Sequence, residues 1–540
     1  MARKLQRLPI GIQDFEKIRR GDYLYIDKTE HLYRLVDRGC YYFLSRPRRF
    51  GKSLLLSTIK AFFLGKRELF KGLAIDDKDD IEWAEHPVLY LDLNTEKYDS
   101  PEKLSNKLDL FLSQQEKLYG KDEMERSFGT RFEGVIRRAY EKTGYRAVIL
   151  VDEYDKPMLQ AIDNPELQDE FRNTLKGFYG ALKSMDACIK FAMLTGVTKF
   201  GKVSVFSDLN NLNDISMYGA YYDICGISEE ELLSNFHDYI NDLADANGLT
   251  REECIDKMRK MYDGYHFEEN APGMYNPFSV LNTLDRKKFA SYWFETGTPT
   301  YLVTLLRRHH YNLEEMSKAE IATDVLNLID SSSTNPIPVI YQSGYLTIKG
   351  YKEEFDKYIL GFPNEDVKRG FVKFLAPTYL SNSEKGTAFD VERFTEDVRG
   401  GMPEQFCKRL QSLLASAPYD TQMTWEGNYR NVVWVVFTMM GFYSQAEYKT
   451  SDGRIDLLIE TADYRYVMEF KLDGTAEQAL QQIKDKRPTL ALPVREGKAG
   501  ETDSLPYREG WGGSKKTYMI GMNFSNDTRT IEKYIIEDAQ

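Results

Sequence analysis

Residues 46–53 read Arg46-Pro-Arg-Arg-Phe-Gly-Lys-Ser53, between the apolar run Tyr41-Tyr-Phe-Leu44 and the periodic segment Leu54-Leu-Leu-Ser-Thr-Ile-Lys-Ala-Phe-Phe63. A strand, a glycine-bearing turn and a helix in that order make the context of a P-loop. Backbone N–H groups at the helix start cradle phosphate, the lysine reaches the terminal phosphates, and the serine hydroxyl meets Mg²⁺. Lys52 and Ser53 hold those two positions, and Phe50 and Gly51 lead into them. Arg46 departs from the pattern, because it stands where the motif ordinarily begins with glycine. Arg46, Arg48 and Arg49 admit three readings: holding phosphate, binding a neighbouring subunit's nucleotide, or lying solvated.

The loop has a partner further along. Ala147-Val-Ile-Leu-Val-Asp152-Glu153 is an apolar strand ending in two acids, the pattern of a Walker B strand. Asp152 would hold Mg²⁺ through water and Glu153 would polarise the attacking water. An acidic turn after a buried strand is the plainer alternative. Thr195 closes Phe191-Ala-Met-Leu-Thr195 and sits where a polar sensor of the γ-phosphate often lies, or where a hydroxyl satisfies local backbone. Short apolar runs at 41–47, 87–94, 146–155 and 189–197 alternate with helical periodicity at 52–65 and 104–120. That alternation predicts an open α/β sheet of largely parallel strands over residues 1–226.

The pattern changes twice more. Residues 227–402 read as mainly helical, with a small winged-helix-like unit near 336–362. Residues 403–540 read as a third unit, with helices at 403–415, 425–440 and 475–486, a Gly-rich loop at 497–514, and a last strand at Thr517-Tyr-Met-Ile-Gly-Met-Asn-Phe524. Inside this unit, Arg454-Ile-Asp-Leu-Leu-Ile-Glu460 and Arg465-Tyr-Val-Met-Glu-Phe-Lys471 predict two strands folded about the bond between Ala462 and Asp463. In that register position 456 opposes 469. Glu469 and Lys471 share a face while Phe470 points to the other. Asp456, Glu469 and Lys471 then form one cluster on apolar strands. Such a cluster is costly unless it binds a metal or a charged substrate. An ion pair guarding a sheet edge is the plainer reading of Glu469 and Lys471.

The totals suit a soluble, multidomain α/β protein. Of 540 residues, 42% are hydrophobic and 29% charged, and no apolar run approaches the ~18 residues that span a bilayer. No secretory signal is expected from the N-terminal stretch. Cys40, Cys188, Cys225, Cys254 and Cys407 are scattered without a Cys-x-x-Cys, as in a reduced, cytoplasmic protein. The net charge of −12 weighs against a chain that wraps nucleic acid non-specifically, although it leaves room for a local basic surface.

The segments at 8–29, 46–53, 148–155 and 194–216, with Tyr262-Asp-Gly-Tyr-His-Phe267, Tyr275-Asn-Pro-Phe-Ser-Val-Leu281 and 292–302, resemble the bacterial AAA-ATPase-like family. The tail resembles the PD-(D/E)XK nuclease domain often fused to it. The resemblance implies Asp456 and Glu469 as metal ligands and Lys471 as water-positioning base or electrostatic stabiliser. It matches Glu426 to the acid of the first nuclease helix and Gln482 to a polar residue facing the site, with Glu447 a weaker match. A capping acid and a solvated helix position are the alternatives for Glu426 and Gln482.

Two function classes follow. The first is an ATP-binding, ATP-hydrolysing protein whose Mg²⁺- or Mn²⁺-dependent nuclease domain acts on DNA, with the middle region gating access. The second is a nucleotide-dependent switch or scaffold whose nuclease-like fold only binds DNA or protein. Homo-oligomers are compatible with both, and neither involves a membrane.

Overall fold

The computed structural model describes residues 5–199, 211–296, 302, 306, 312–317, 319–326, 335–380, 387–416, 425–443, 457–490, 515–525, 527–528 and 530–539. They divide into two compact units. One comprises Met1–His309 with Glu315–Gly370, and the other His310–Glu314 with Phe371–Gln540.

The first unit is built on five parallel strands: β1 (Tyr41–Ser45), β2 (Val88–Asp92), β3 (Ala147–Asp152), β4 (Ile189–Gly196) and β5 (Asn213–Asp214), in the order β2-β3-β4-β1-β5. Every residue of β1 and β3 is buried, which is why these stretches read as unbroken apolar runs rather than alternating ones. The order inserts β4 between β1 and β3. Because the strands are parallel, the ends of β1, β3 and β4 open on one edge of the sheet, where α/β folds place their ligands. Phe43, Leu89, Ile149 and Leu194 form the core with Phe111, Phe132 and Phe178 from the covering helices. The rings of Phe132 and Phe178 stack at 4.4 Å.

The remainder of this unit is mainly helical over Glu229–Asn235, His237–Asn247, Arg251–Tyr262 and Pro277–Arg286. Reciprocal caps at Ser228/Glu231 and Thr250/Glu253 start two of these helices by satisfying their first N–H groups. A three-stranded antiparallel sheet follows, with strands β6 (Glu320–Ala322), β7 (Thr347–Lys352) and β8 (Lys357–Gly361) in the order β6-β8-β7. The short helix Ile337–Gln342 precedes its hairpin. Among the described residues no helix is long and apolar enough to cross a membrane.

The second unit carries helices Pro403–Ser416, Trp425–Tyr443 and Ala476–Leu490, close to the expected spans. Its sheet runs β12-β11-β10-β9, from β9 (Leu457–Glu460), β10 (Tyr464–Leu472), β11 (Lys516–Ser525) and β12 (Thr530–Ala539). β10 and β11 are parallel, and the two outer pairings are antiparallel. Val467 and Met519 pack against Leu480 and Ile483 of the helix Ala476–Leu490. The strand expected to be last is followed by β12. Its sequence, Thr530-Ile-Glu-Lys-Tyr-Ile-Ile-Glu-Asp-Ala539, carries four charges and reads as surface. At the edge of a sheet those charges are tolerated.

Candidate functional site

The nucleotide loop follows directly from the end of β1. Gly51 has φ +96°, a left-handed conformation that glycine alone takes without strain, as the helix Lys52–Phe63 begins. Lys52 is 4% exposed, and its ammonium donates to the Arg46 carbonyl at 3.0 Å and the Pro47 carbonyl at 3.3 Å. Glu153 Oε1 lies 3.4 Å away. Glu153 itself has φ +54°, an uncommon backbone state for a non-glycine residue, which turns the chain sharply after β3.

Asp152 ends β3 and is buried. It accepts from the Thr195 hydroxyl at 2.8 Å and from the Tyr90 hydroxyl at 3.4 Å. Burial pushes its carboxyl above the usual carboxylate range, and a hydrogen bond with Ser53 acts in the opposite direction. The structure thus brings Lys52, Ser53, Asp152, Glu153 and Thr195 together from three separate stretches of sequence. The oxygens of Ser53 and Asp152 are of the hard kind that suits Mg²⁺.

The remaining loop residues divide. Arg49 is exposed, with φ +67° and its guanidinium 5.0 Å over the Phe278 ring. Phe50 is buried, and its ring meets Tyr265 at 4.7 Å and Phe267 at 5.4 Å, so its side chain is a packing group. Arg46 is buried, and its guanidinium is committed to the carbonyls of Ser45, Ser216, Tyr221 and Tyr222. Of the three readings of Arg46, the solvated one is corrected by this burial, and both terminal nitrogens are taken by carbonyl oxygens.

Asp155 was not foreseen. It is buried and accepts from the Val197 N–H at 3.1 Å, the Thr198 N–H at 2.6 Å and the Thr198 hydroxyl at 2.6 Å, fixing the turn that leaves β4 beyond Thr195. Burial pushes its carboxyl up to about 6. The string Val151-Asp-Glu-Tyr-Asp155 offers a third acid, but only the β3–β4 neighbourhood gives it this task.

In the second unit, the turn at Ala462-Asp463 is closed by the Thr461 N–H donating to the Tyr464 carbonyl at 2.8 Å. The pairs Arg465↔Glu460, Tyr466↔Ile459, Val467↔Leu458 and Met468↔Leu457 follow the expected register. Asp456 and Glu447 lie outside the described residues, as does the side chain of Glu426, whose backbone belongs to the helix Trp425–Tyr443. Glu469 is 2% exposed, with the Lys471 ammonium 3.9 Å from its carboxylate. That ammonium donates to Gln482 Oε1.

Gly521 pairs with Glu469 across β10 and β11, and a Cβ there would stand 2.4 Å from the Ala476 carbonyl oxygen. The missing side chain lets the helix Ala476–Leu490 lie directly on the sheet, which brings Gln482 to Lys471. Its place inside the expected strand Thr517–Phe524 is the sequence signal for a close approach, though not for which element approaches. Among the described residues no three His, Cys, Asp or Glu side chains cluster as a metal site. In this unit Glu469 is the described carboxylate that could ligate a cation beside Lys471.

Comparisons with known proteins identify two domain families along the chain. Residues 9–206 match the family model described as a predicted AAA-ATPase, and residues 424–499 match the PD-(D/E)XK nuclease superfamily. A protein of the vnfD 5′ region of Azotobacter chroococcum mcd 1 is 36% identical over 558 residues, covering 99% of both chains. The chain belongs to the predicted AAA-ATPase-like family and carries a PD-(D/E)XK nuclease superfamily domain toward its C-terminal side.

Proposed function

We propose that this protein binds and hydrolyses ATP and that its C-terminal unit is a Mg²⁺- or Mn²⁺-dependent nuclease that hydrolyses DNA phosphodiester bonds. One observation carries the hydrolytic half: a buried carboxylate and a lysine two residues apart on one strand face, with Gln482 fixing the ammonium. Buried carboxylates are ordinarily paired or metal-bound, and Glu469 with the Lys471 ammonium 3.9 Å away places an acid and a cation on one strand face, the pair a scissile phosphate and its metal ion would use.

The nucleotide half is supported by the convergence at the edge of the parallel sheet. Beside Gly51 lies a largely apolar chamber of about 110 Å³, walled in part by Tyr25, Ile26, Leu54, Phe236 and Leu281. Apolar walls suit the faces of a purine. Among the described residues no Asp or Glu lines it, so guanine's ring N–H and amine would find no carboxylate, which favours ATP.

Ser53 and Asp152 would hold the ion of the nucleotide site, and Asp456 and Glu469 that of the nuclease site. When bound, a divalent ion supplies Lewis-acid stabilisation of the phosphate and a more acidic water. On nucleotide binding Lys52 leaves the Arg46 and Pro47 carbonyls for the terminal phosphates, Glu153 orients water, and Thr195 reads the γ-phosphate. Lys471, held by Gln482, positions water and offsets charge at the scissile phosphate, and Glu426 supplies a further acid. Residues 227–402, read as a regulatory stretch with a winged-helix-like unit near 336–362, run through both compact units, with 227–309 and 315–370 in the first and 310–314 and 371–402 in the second. They transmit the nucleotide state so as to gate DNA. The protein acts in the cytoplasm, and a homo-oligomer is compatible with this scheme.

The test is cleavage of plasmid and linear DNA by the purified full chain with Mg²⁺ or Mn²⁺, with and without ATP. Metal-dependent cleavage that disappears in Lys471→Ala and Asp456→Ala supports the assignment. Cleavage unchanged in Asp456→Ala removes it. Nucleotide binding without cleavage under any condition would leave a nucleotide-dependent switch or scaffold.

A further inference from the structure

The nucleotide loop is held residue by residue from outside. One terminal nitrogen of Arg46 donates to the Ser45 carbonyl at 3.0 Å and the Ser216 carbonyl at 2.7 Å. The other donates to the Tyr221 carbonyl at 3.1 Å and the Tyr222 carbonyl at 3.4 Å. The guanidinium carbon lies 4.0 Å from the centre of the Phe267 ring. Trp293 Nε1 donates to the Arg48 carbonyl at 3.2 Å, Arg49 covers Phe278, and Phe50 is wedged against Tyr265 and Phe267. These aromatic residues come from 265–293, a stretch around the helix Pro277–Arg286 whose tyrosine- and phenylalanine-rich motifs have no role in the phosphate chemistry.

Arg46 is 1% exposed, and no carboxylate is among its described hydrogen-bond partners. A buried cation whose terminal nitrogens meet only carbonyls, whose Nε has no hydrogen-bond partner among the described residues and whose plane lies on a ring is an expensive way to fill space. Its geometry has a use, since the Arg46 carbonyl is the group that holds the Lys52 ammonium at 3.0 Å. A glycine at this position would leave that peptide free to turn. A planar fork bound to the 216–222 carbonyls and seated on the Phe267 ring fixes it.

We propose that Arg46 is a positioning residue of the nucleotide loop: its guanidinium, seated on Phe267 and tied to the 216–222 carbonyls, fixes the peptide from which Lys52 is released to the phosphates. This inference rests on the nucleotide reading above. It makes Arg46 act through the loop backbone and Lys52 without touching phosphate.

The experiment measures binding of a fluorescent ATP analogue to the full chain in wild type, Lys52→Ala, Arg46→Met, Arg46→Lys and Phe267→Leu. Circular dichroism and melting temperature without nucleotide are recorded in parallel. Loss of four charge-assisted bonds at the loop base predicts affinity weaker by about tenfold in Arg46→Met. Arg46→Lys stays impaired, because an ammonium cannot span the carbonyls that the fork spans. Phe267→Leu, which keeps those bonds, loses about threefold as the seat loosens. A purely structural role would lower the melting temperature and leave the affinity of the folded fraction unchanged. That result, or full affinity in Arg46→Lys, overturns the proposal. If Arg46→Met does not fold, unchanged affinity in Phe267→Leu overturns it. Absence of binding by wild type would instead overturn the nucleotide reading itself, and wild-type binding lost only in Lys52→Ala would sink the role of Arg46 alone.

Discussion

In the N-terminal unit Lys52 is 4% exposed and its charge is divided between two carbonyls of its own loop and Glu153. In the C-terminal unit Lys471 is 34% exposed, bonded to one side-chain amide and 3.9 Å from Glu469. The first lysine is parked and the second is presented. A parked lysine must exchange partners when a phosphate arrives, so binding there is coupled to movement of the loop and whatever grips it. A presented lysine meets its substrate where it already stands. The contrast suits a site that switches in one unit and a site that reacts in the other.

The strongest way to break this contrast is at the presented lysine. Lys471→Ala is expected to lower metal-dependent DNA cleavage on the order of a hundred- to a thousandfold, as for loss of one stabilising group at a developing charge, with ATP affinity within about twofold. Gel-based cleavage rates and analogue titration on the same preparation measure both. Loss of both functions together would show that the lysine is structural.

The mirror substitution follows. Lys52→Ala is expected to weaken ATP binding by about a hundredfold, since a charged hydrogen-bonding group is lost from the terminal phosphates. The melting temperature should stay close to that of wild type, because the partners left behind include carbonyls able to take water. A large drop in melting temperature would mean that the parked state is a folding contact.

Gly521→Ala sharpens the contrast from the other side. A Cβ 2.4 Å from the Ala476 oxygen must lift the helix Ala476–Leu490, which costs about 1–3 kcal/mol by denaturant titration. Because that helix holds Gln482 against Lys471, cleavage should fall while ATP binding does not. Equal activity at lower stability would remove Gln482 from the site.

The smallest expected effect concerns Asp155. Its carboxyl is raised by burial to about 6 from an ordinary value of 3.8, so between those values the folded state holds more protons than the unfolded one. Stability therefore falls as pH rises from about 4 to 6, by at most about 1.4 kcal/mol per pH unit, and levels off above that window. Asp155→Asn should flatten that part of the profile in a comparison of melting temperatures. An identical slope in both proteins would place the proton elsewhere.

Much of the nucleotide site was legible because its signals are local. Apolar runs of strand length, a glycine before Lys52-Ser53, and acids closing Ala147–Asp152 each depend on a few adjacent residues. The hairpin register was legible for the same reason, since one tight turn sets every rung beyond it. Arg46 was not legible. Charge in a loop ordinarily signals solvent, and three of its four carbonyl partners lie 170 to 176 residues away with no side-chain signature. Gly521 escaped for a related reason: the helix it admits is near in space and forty residues off in sequence.

Sequence by itself determined which two domain families this chain resembles, because phosphate loops and Glu-x-Lys strands are written in neighbouring residues whose spacing follows from backbone geometry. Only the tertiary structure decided how those groups stand at rest: Lys52 folded onto its own loop, Arg46 buried on carbonyls, and Lys471 held by a glutamine from a helix seated on a glycine. Those outcomes depend on which segments pack together in three dimensions, and desolvation and close packing act on neighbours in space whatever their distance along the chain.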